Sequence, residues 1–481
     1  MINNLKTKAR LSEKDMADLF KDHLKDTFFY LENLKKWVFF KEGRGWIEER
    51  EEELRSNDFY EFLNTLYFTP SSIPNNKIEA WEKQRWACIN SYRNQNGVKR
   101  VFDVLRNDTS LRKGEYFDTE PHLLGTGNGI VDLKSGKLYS PSKKLLVTQK
   151  SPINYNPKAK ADRWARFVKE VLPKHHEYIQ KVMGYCVTGE TNLQKLWMFV
   201  GAGSNGKSTF LENIMEVVGL DYSQKTPQNS ILASAHSSSA SPELTRMKSK
   251  RLIVLSETDF DAKLNETNVK QLTGNDTITA RDLYSGYIQF KSVGKFVMAT
   301  NHLPKVTSNG VAIWRRIEVI RFDSKFSHNS DPQLTSKLKQ EQEGILAWLV
   351  EGAKLFYSKN RDLKTPQEIQ DWVSEYRSEE DVLAGFLSER VEDCVGNFVT
   401  AKTFYEEYRE WCKNNSISAL DDNQFGRDLT KRGFTRKKMG RDHKTNYLNI
   451  KLKERQFVKS NGFEVKESKK RKPATVTTKR G

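Results

Sequence analysis

The stretch Lys195–Phe210, KLWMFVGAGSNGKSTF, decides the fold. Leu196 to Val200 is an apolar run with the length of one buried strand. It empties into Gly201, Ala202, Gly203, Ser204, Asn205, Gly206, Lys207 and Ser208, the G-x-x-x-x-G-K-[ST] phosphate loop. Gly201, Gly203 and Gly206 let the backbone curl so that successive N–H groups aim at one phosphate chain. Lys207 is the residue to reach the β- and γ-phosphates, and Ser208 offers its hydroxyl to Mg²⁺. From Thr209 to Val218 apolar residues recur at helical spacing, so a helix N-terminus adds its positive end to the site. The expectation is a nucleotide site with ATP and Mg²⁺ as cofactors.

Downstream, two more apolar runs end on polar residues: Arg251–Glu257 (RLIVLSE) and Lys295–Asn301 (KFVMATN). Three such runs separated by helical text predict an open parallel α/β sheet with functional residues at the carboxyl ends of its strands. Glu257 stands where an acid would polarise the attacking water and help hold the metal. Asn301 stands where an amide would orient that water beside the γ-phosphate. Between these two runs, TITARDLYSGYIQFKS (277–292) predicts a hairpin with its tip near Tyr284–Tyr287. Arg315 and Arg316 follow the last run, and an arginine there is positioned for delivery to a neighbour's site.

The 481 residues carry a net charge of +18, which points to a polyanion partner. Mean hydropathy is −0.72, no stretch approaches the length of a membrane span, and the N-terminus lacks a signal-peptide core. A cytoplasmic protein without membrane contact is expected. Four scattered cysteines exclude a disulfide framework or a C-x-x-C zinc module. The aromatic cluster of residues 28–46 predicts a hairpin and a small core, and residues 226–241, rich in Ser and Ala, predict a mobile segment. From 381 onward the text predicts three short helices (381–394, 400–415, 422–434) and two strands around Gly440-Arg441-Asp442, a winged helix-turn-helix. Arg427, Lys431, Arg432, Arg436, Lys437, Lys438, Arg441 and Lys444 crowd its last helix and wing, where such folds meet DNA.

Several motifs in fixed order resemble the superfamily 3 helicases, in the branch of poxvirus and phage or plasmid primase-helicases. The matching text is GAGSNGKST (201–209), RLIVLSETD (251–259), KQLTGNDTITARDLY (270–284), FVMATNHLP (296–304) and IWRRIEVIRF (313–322). LLGTGNGIVDLKSGKLY is similar to the domain that precedes the motor in that branch. The resemblance implies an AAA+ fold, a homo-hexameric ring around single-stranded DNA, and 3′ to 5′ translocation driven by ATP hydrolysis. It assigns Lys207 and Ser208 to Walker A, with Thr209 among the nucleotide-binding residues, Glu257 to Walker B and Asn301 to sensor 1. It makes the hairpin the element that projects into the DNA channel, with Arg281, Tyr284 and Lys291 as contacts, and Arg316 the arginine finger, Arg315 standing second. Two departures remain. Ser256 precedes Glu257 where many members carry an acid, so Glu257 and Asp259 both stay open as metal holders. The hairpin tip also lacks the lysine–histidine pair of some viral relatives.

The expected fold class is α/β, with an AAA+ phosphate-loop core, a mixed N-terminal domain and a C-terminal winged helix. The expected divisions are 1–110, an α+β domain; 111–180, a linker domain; 181–330, the motor; 331–380, a helical connector; 381–455, the winged helix; and 456–481, a basic disordered tail. Phe117-Asp118-Thr119-Glu120 has the residue types of a primase acid pair, but a solvated turn accounts for it, so a motor without a primase is expected. The expected function is an ATP-dependent helicase in replication initiation of a mobile element, phage or plasmid. The rival is a DNA-binding regulator that uses ATP only as an assembly switch; it needs neither Glu257 nor the arginine pair.

Overall fold

The computed structural model describes the chain except residues 1–4, 33–34, 50–52, 114–115, 228–230, 233–241, 256–261, 282–286, 307–309, 327–330, 416, 440–442 and 454–481, and except the side chains of 53 and 54. It divides into two compact units, Met1–Glu380 and Asp381–Gly481.

The first unit is built on a five-stranded parallel sheet: β1 (Leu196–Val200), β2 (Ser223–Thr226), β3 (Leu252–Leu255), β4 (Lys295–Thr300) and β5 (Ile317–Arg321). Across the sheet the order is β5-β1-β4-β3-β2. Each face is covered, which is why the strands read as unbroken apolar runs rather than alternations. Trp197 and Phe199 point into a core with the helices Asp162–Val171, His176–Cys186 and Gln342–Ser358. Leu196 and Met198 point into a second core with the helix Glu266–Thr273 and the hairpin beyond it. The helix after the phosphate loop, α1 (Lys207–Tyr222), is regular up to Val218 and breaks at Gly219, whose φ of +78° only glycine adopts cheaply.

Two strands were not read from the sequence. β2 is the polar segment SQKT, an edge strand with no apolar run to mark it. β5 follows the arginine pair with hardly a gap and pairs with β1 from Ile317↔Leu196 to Arg321↔Val200. In the N-terminal part, the aromatic residues Phe28, Trp37 and Phe39 are buried against Phe20, Phe59 and Phe102, so that cluster is core. The segment 226–241, expected to be mobile, lies largely outside the described residues.

The second unit orders its elements as helix Val382–Arg390, strand Val391–Thr400, helix Ala401–Asn414, helix Asp422–Lys431, and strands Arg436–Met439 and Lys444–Leu452. The three strands form one antiparallel sheet, with the last in the middle. This corrects the first expected helix, which was drawn through Cys394. It stops at Arg390 because Val391–Asp393 pair with Ile450–Leu452, and cross-strand pairing overrides the local helical pattern. Gly440-Arg441-Asp442 and the tail after Lys453 lie outside the described residues.

Candidate nucleotide site and nucleic-acid contacts

β1 lies where the strand order reverses: the chain leaves it toward β2, returns through β3 and β4, then places β5 on its other side. In open parallel sheets the crevice at the carboxyl ends of such a switch point is where ligands bind. The phosphate loop occupies that crevice. Gly203 and Gly206 hold φ of +90° and +83°, and Gly206 also faces Val171 so closely that a Cβ would sit 2.5 Å from its Cγ1. Gly201 has no room for a side chain, because a Cβ would lie 2.0 Å from Asn205 Nδ2. Asn205, itself buried, donates from Nδ2 to Phe322 O at 3.1 Å and so ties the loop to the end of β5.

Lys207 is 3 % exposed, and its ammonium lies among oxygens: Gly201 O, Asn205 Oδ1 at 3.3 Å and Asn301 Oδ1 at 3.2 Å. Asn301 follows β4, the neighbour of β1, so the sheet brings together two residues 94 positions apart. Ala202, Gly203, Ser204 and Ser208 are exposed at the mouth, and Thr209 is half-buried. The residues fit an ATP phosphate chain: a curled backbone open to solvent, a lysine at its root and an exposed hydroxyl for Mg²⁺. Glu257, Asp259 and Tyr284 lie outside the described residues, and among the described residues no cluster of metal-ligating side chains forms.

The arginine pair stands at the opposite edge of the sheet. Leu196 N donates to Arg316 O at 2.7 Å, so the pair sits beside the start of β1, one strand length from the loop at its end, about 16 Å at ~3.3 Å per residue. The two differ sharply. Arg316 is 8 % exposed and donates to Thr273 Oγ1 at 3.1 Å, Ala312 O at 2.7 Å and Gln194 Oε1 at 3.5 Å. Burial and the neighbouring Arg315 push its pKa down from the usual arginine value. Arg315 is exposed and shares Gln194 Oε1 at 3.2 Å. Thr273 and Gln194 had no signal in the sequence; only the folded sheet edge brings them to the arginines.

The hairpin forms as expected from Thr277–Arg281 and Tyr287–Lys291. Its alternation leaves Thr279, Arg281, Tyr287, Gln289 and Lys291 outward, while Ile278, Ala280 and Phe290 are buried. Arg281 pairs directly with Tyr287 and its guanidinium lies 5.5 Å from that ring's centroid. Tyr287 is 68 % exposed, an aromatic ring offered to solvent beside a cation. Period-two alternation from Arg281 would have singled it out.

In the second unit Arg427, Lys431, Lys437 and Lys438 are exposed. Lys431 pairs with Asp428 at 3.0 Å, and Arg432, half-buried, is held by Asp381. Arg432 thus fastens the last helix to the cap of the first. Asp118, expected in a solvated turn, is instead committed to the fold: its carboxylate accepts from Thr148 N at 2.8 Å, Gln149 N at 3.1 Å and the Thr148 hydroxyl.

Residues 17–173 match the family described as D5 N terminal like, and residues 378–457 the one described as Poxvirus D5 protein-like. The chain carries two D5-type domains. Between them, residues 199–316 of this D5-like chain match a family of unknown function, DUF5906. That match runs from the end of β1 to the buried arginine. Among relatives, a protein of Acanthamoeba polyphaga mimivirus named "Putative helicase" is 28 % identical over 68 % of this chain and 36 % of its own length. A "Putative primase" of African swine fever virus is 24 % identical over 70 % of this chain and 38 % of its own. The chain therefore spans little more than a third of the curated relatives it matches. A solved structure titled the apo structure of NrS-1 C terminal region superposes with a TM-score of 0.50 at 12 % identity, covering 92 % of this chain and all of that one, a likeness of fold. No helix among the described residues is long and apolar enough to cross a membrane.

Proposed function

We propose that this chain is the motor of an ATP-hydrolysing DNA helicase of superfamily 3, with an AAA+ core, acting in replication of a virus, phage, plasmid or other mobile element. The observation that carries the reading is the meeting of Lys207 and Asn301 at the carboxyl ends of adjacent parallel strands, under a glycine loop with exposed amides. ATP bound there supplies a γ-phosphoryl group for transfer to water. Lys207 would leave its three oxygens for the β- and γ-phosphates, which frees the Asn301 amide to orient the attacking water. Ser208, with Glu257 or Asp259, would hold Mg²⁺.

The chain's own arginines stand a strand length from its own loop, so the charge they could place on a γ-phosphate serves a neighbouring subunit. A homo-hexameric ring is the assembly this implies. The arginine delivered is Arg315, the exposed member. Arg316, put first from the resemblance, is already spent on Thr273, Ala312 and Gln194 and anchors the pair. Arg281, Tyr287 and Lys291 on the outward hairpin face would follow single-stranded DNA in the channel, with 3′ to 5′ polarity. The second unit is read as a winged helix whose Arg427, Lys431, Lys437 and Lys438 meet duplex at an origin. Strand displacement on 3′-tailed and 5′-tailed substrates, with and without ATP, tests the whole. ATP-dependent unwinding of the 3′-tailed substrate is expected; ATP-dependent assembly with no displacement of either strand would replace the motor by the regulator.

A further inference from the structure

A groove of about 1670 Å³ lies on the first unit, far from the nucleotide site. One wall is the N-terminal hairpin around Arg44; the other is the end of α1 with the turn 245–250. Its floor, residues 148–152, is bolted to the sheet. Gln149 Nε2 donates to Asp221 O at 2.8 Å and Ser249 O at 3.0 Å, Lys150 N donates to Asp221 Oδ2 at 3.0 Å, and Lys150 Nζ donates to Arg44 O across to the first wall. The groove is therefore a built feature of the unit and not a gap between loose parts.

Its charge is basic in excess, seven cations against four acids. Arg44, Lys150, Lys225, Arg246, Lys248 and Lys250 line it. The acids present are already engaged by the protein: Glu48 by Lys36, Asp118 by the backbone at 148–149, Glu216 by Gln342, and Asp221 by Lys150 N. Arg44 and Arg246 are exposed, on opposite walls, and have no acid partner among the described residues. Burial and the Arg44 guanidinium lower the pKa of Lys150 by more than the nearby Asp221 carboxylate raises it, so the cations here outweigh their counterions.

The position adds a second argument. The groove is lined by Ser223, which starts β2, and Lys250, two residues before β3. The hairpin 277–291 is rooted at the same sheet edge, since Leu252 of β3 pairs with both Ser223 and Lys295, the first residue of β4. The phosphate loop is at the other edge, about 18 Å away along the twelve regular residues 207–218 of α1 at 1.5 Å each. The segment Pro242–Arg246, which brings Arg246 to the groove wall, lies against the hairpin strand Thr277–Arg281.

We infer that the groove binds the sugar–phosphate backbone of single-stranded nucleic acid. Its volume equals that of a sphere about 15 Å across, enough for one backbone and too little for a duplex. The lining offers cations and no exposed aromatic ring, so binding is through phosphates and indifferent to sequence. The inference goes beyond the helicase reading and does not need ATP or unwinding.

The test uses the full chain, without nucleotide, and a fluorescein-labelled oligothymidylate. In Arg44→Glu/Arg246→Glu/Lys248→Glu, loss of three phosphate contacts should lower the slope of log affinity against log salt by about 2, at ~0.7 per contact for single strands. Binding of a fluorescent ATP analogue should be unchanged. In a second variant, Leu220→Cys, at a site 83 % exposed in the groove, carries a photo-cross-linker. It should capture the oligonucleotide at a yield that falls with salt. An unchanged slope, or no cross-link above that of the unsubstituted chain, overturns the inference; an anionic protein as the true occupant would give that result. A chain that unwinds neither tailed substrate yet keeps the slope change and the cross-link loses the helicase reading and retains this one.

Discussion

Alanine substitution at the two adjacent arginines should separate a structural role from a chemical one. Arg316→Ala removes three hydrogen bonds from a buried cation and leaves Thr273 Oγ1, Ala312 O and Gln194 Oε1 short of a donor. At roughly 1 kcal/mol net for each bond, with part of the loss recovered by water at the rim, about 2 kcal/mol of stability should go. For a unit this large, at about 2.1 cal/mol/K of unfolding entropy per residue, that lowers the melting temperature by only about 2–3 °C. Arg315→Ala, at an exposed site, should stay within about 0.5 kcal/mol of wild type. Hydrolysis should nevertheless fall by roughly 10³-fold or more in Arg315→Ala, the magnitude of a lost arginine finger. The assay is ATP turnover beside thermal melting. Mixing Arg315→Ala with Lys207→Ala chains makes it decisive, because an active interface then needs the loop of one and the arginine of the other. With random mixing in a ring, such interfaces peak at about a quarter of the total at equal proportions. Arg315→Ala with full activity, together with an inactive Arg316→Ala of unchanged melting temperature, would refute the assignment and return the finger to Arg316. No recovery at any ratio would refute action between subunits that turn over independently.

Other consequences are simpler to check. Lys207→Ala should abolish ATP hydrolysis and unwinding while duplex binding, measured by fluorescence anisotropy, persists through the separate second unit. A chain ending at Glu380 should lose the salt-sensitive part of duplex binding but keep ATPase activity stimulated by single strands, since unit 1 has its own cores. Tyr287→Ala should weaken single-strand binding about 5- to 150-fold, the range of one base–aromatic stack of ~1–3 kcal/mol, with melting unchanged because the ring is exposed. Lys295, fully buried and pushed down to about 7 by burial, binds its proton less readily folded than unfolded. Stability should therefore rise as pH increases from about 7 toward the unfolded value, by at most ~1.4 kcal/mol per pH unit, and chemical denaturation of Lys295→Met should lack that rise.

What could be read in the sequence depended on whether one strand carried its own signal. β1, β3 and β4 are buried on both faces, so each is an apolar run that no surface element imitates. β2 is an edge strand of polar residues whose place is set by pairing with β3, a contact no local window contains. The strand Val391–Thr400 was concealed for the same reason, because its partner lies some fifty residues on. At the candidate site, the curled loop was legible because glycines at 201, 203 and 206 permit a backbone that other residues resist. The different burial of Arg315 and Arg316 was not, since it comes from Thr273 and Gln194 in distant segments. Gln194 has positive φ, a turn conformation that a glutamine gives no warning of.

In the proposed motor, ATP hydrolysis and DNA contact occur at opposite edges of one sheet, so the work must cross it. β4 is the direct route. Its first residue, Lys295, follows the hairpin by four positions, and Thr300 at its far end precedes Asn301, which touches Lys207. Between them Phe296, Val297 and Met298 are fully buried with neighbours on both sides, so the strand cannot bend independently of the sheet. A change at the γ-phosphate felt by Asn301 therefore reaches the hairpin root as a displacement of the whole strand. The second route begins in the neighbour. The arginine pair shares Gln194 Oε1, and Arg316 holds Thr273, the last residue of the helix that leads into the hairpin. Withdrawal of Arg315 from a neighbour's spent nucleotide would thus pull on the hairpin through one hydroxyl. Thr273→Val keeps the shape and removes that hydroxyl. It should leave ATP turnover within about twofold of wild type while the strand displaced per ATP consumed falls. A Thr273→Val chain with unchanged coupling ratio would leave β4 as the sole carrier.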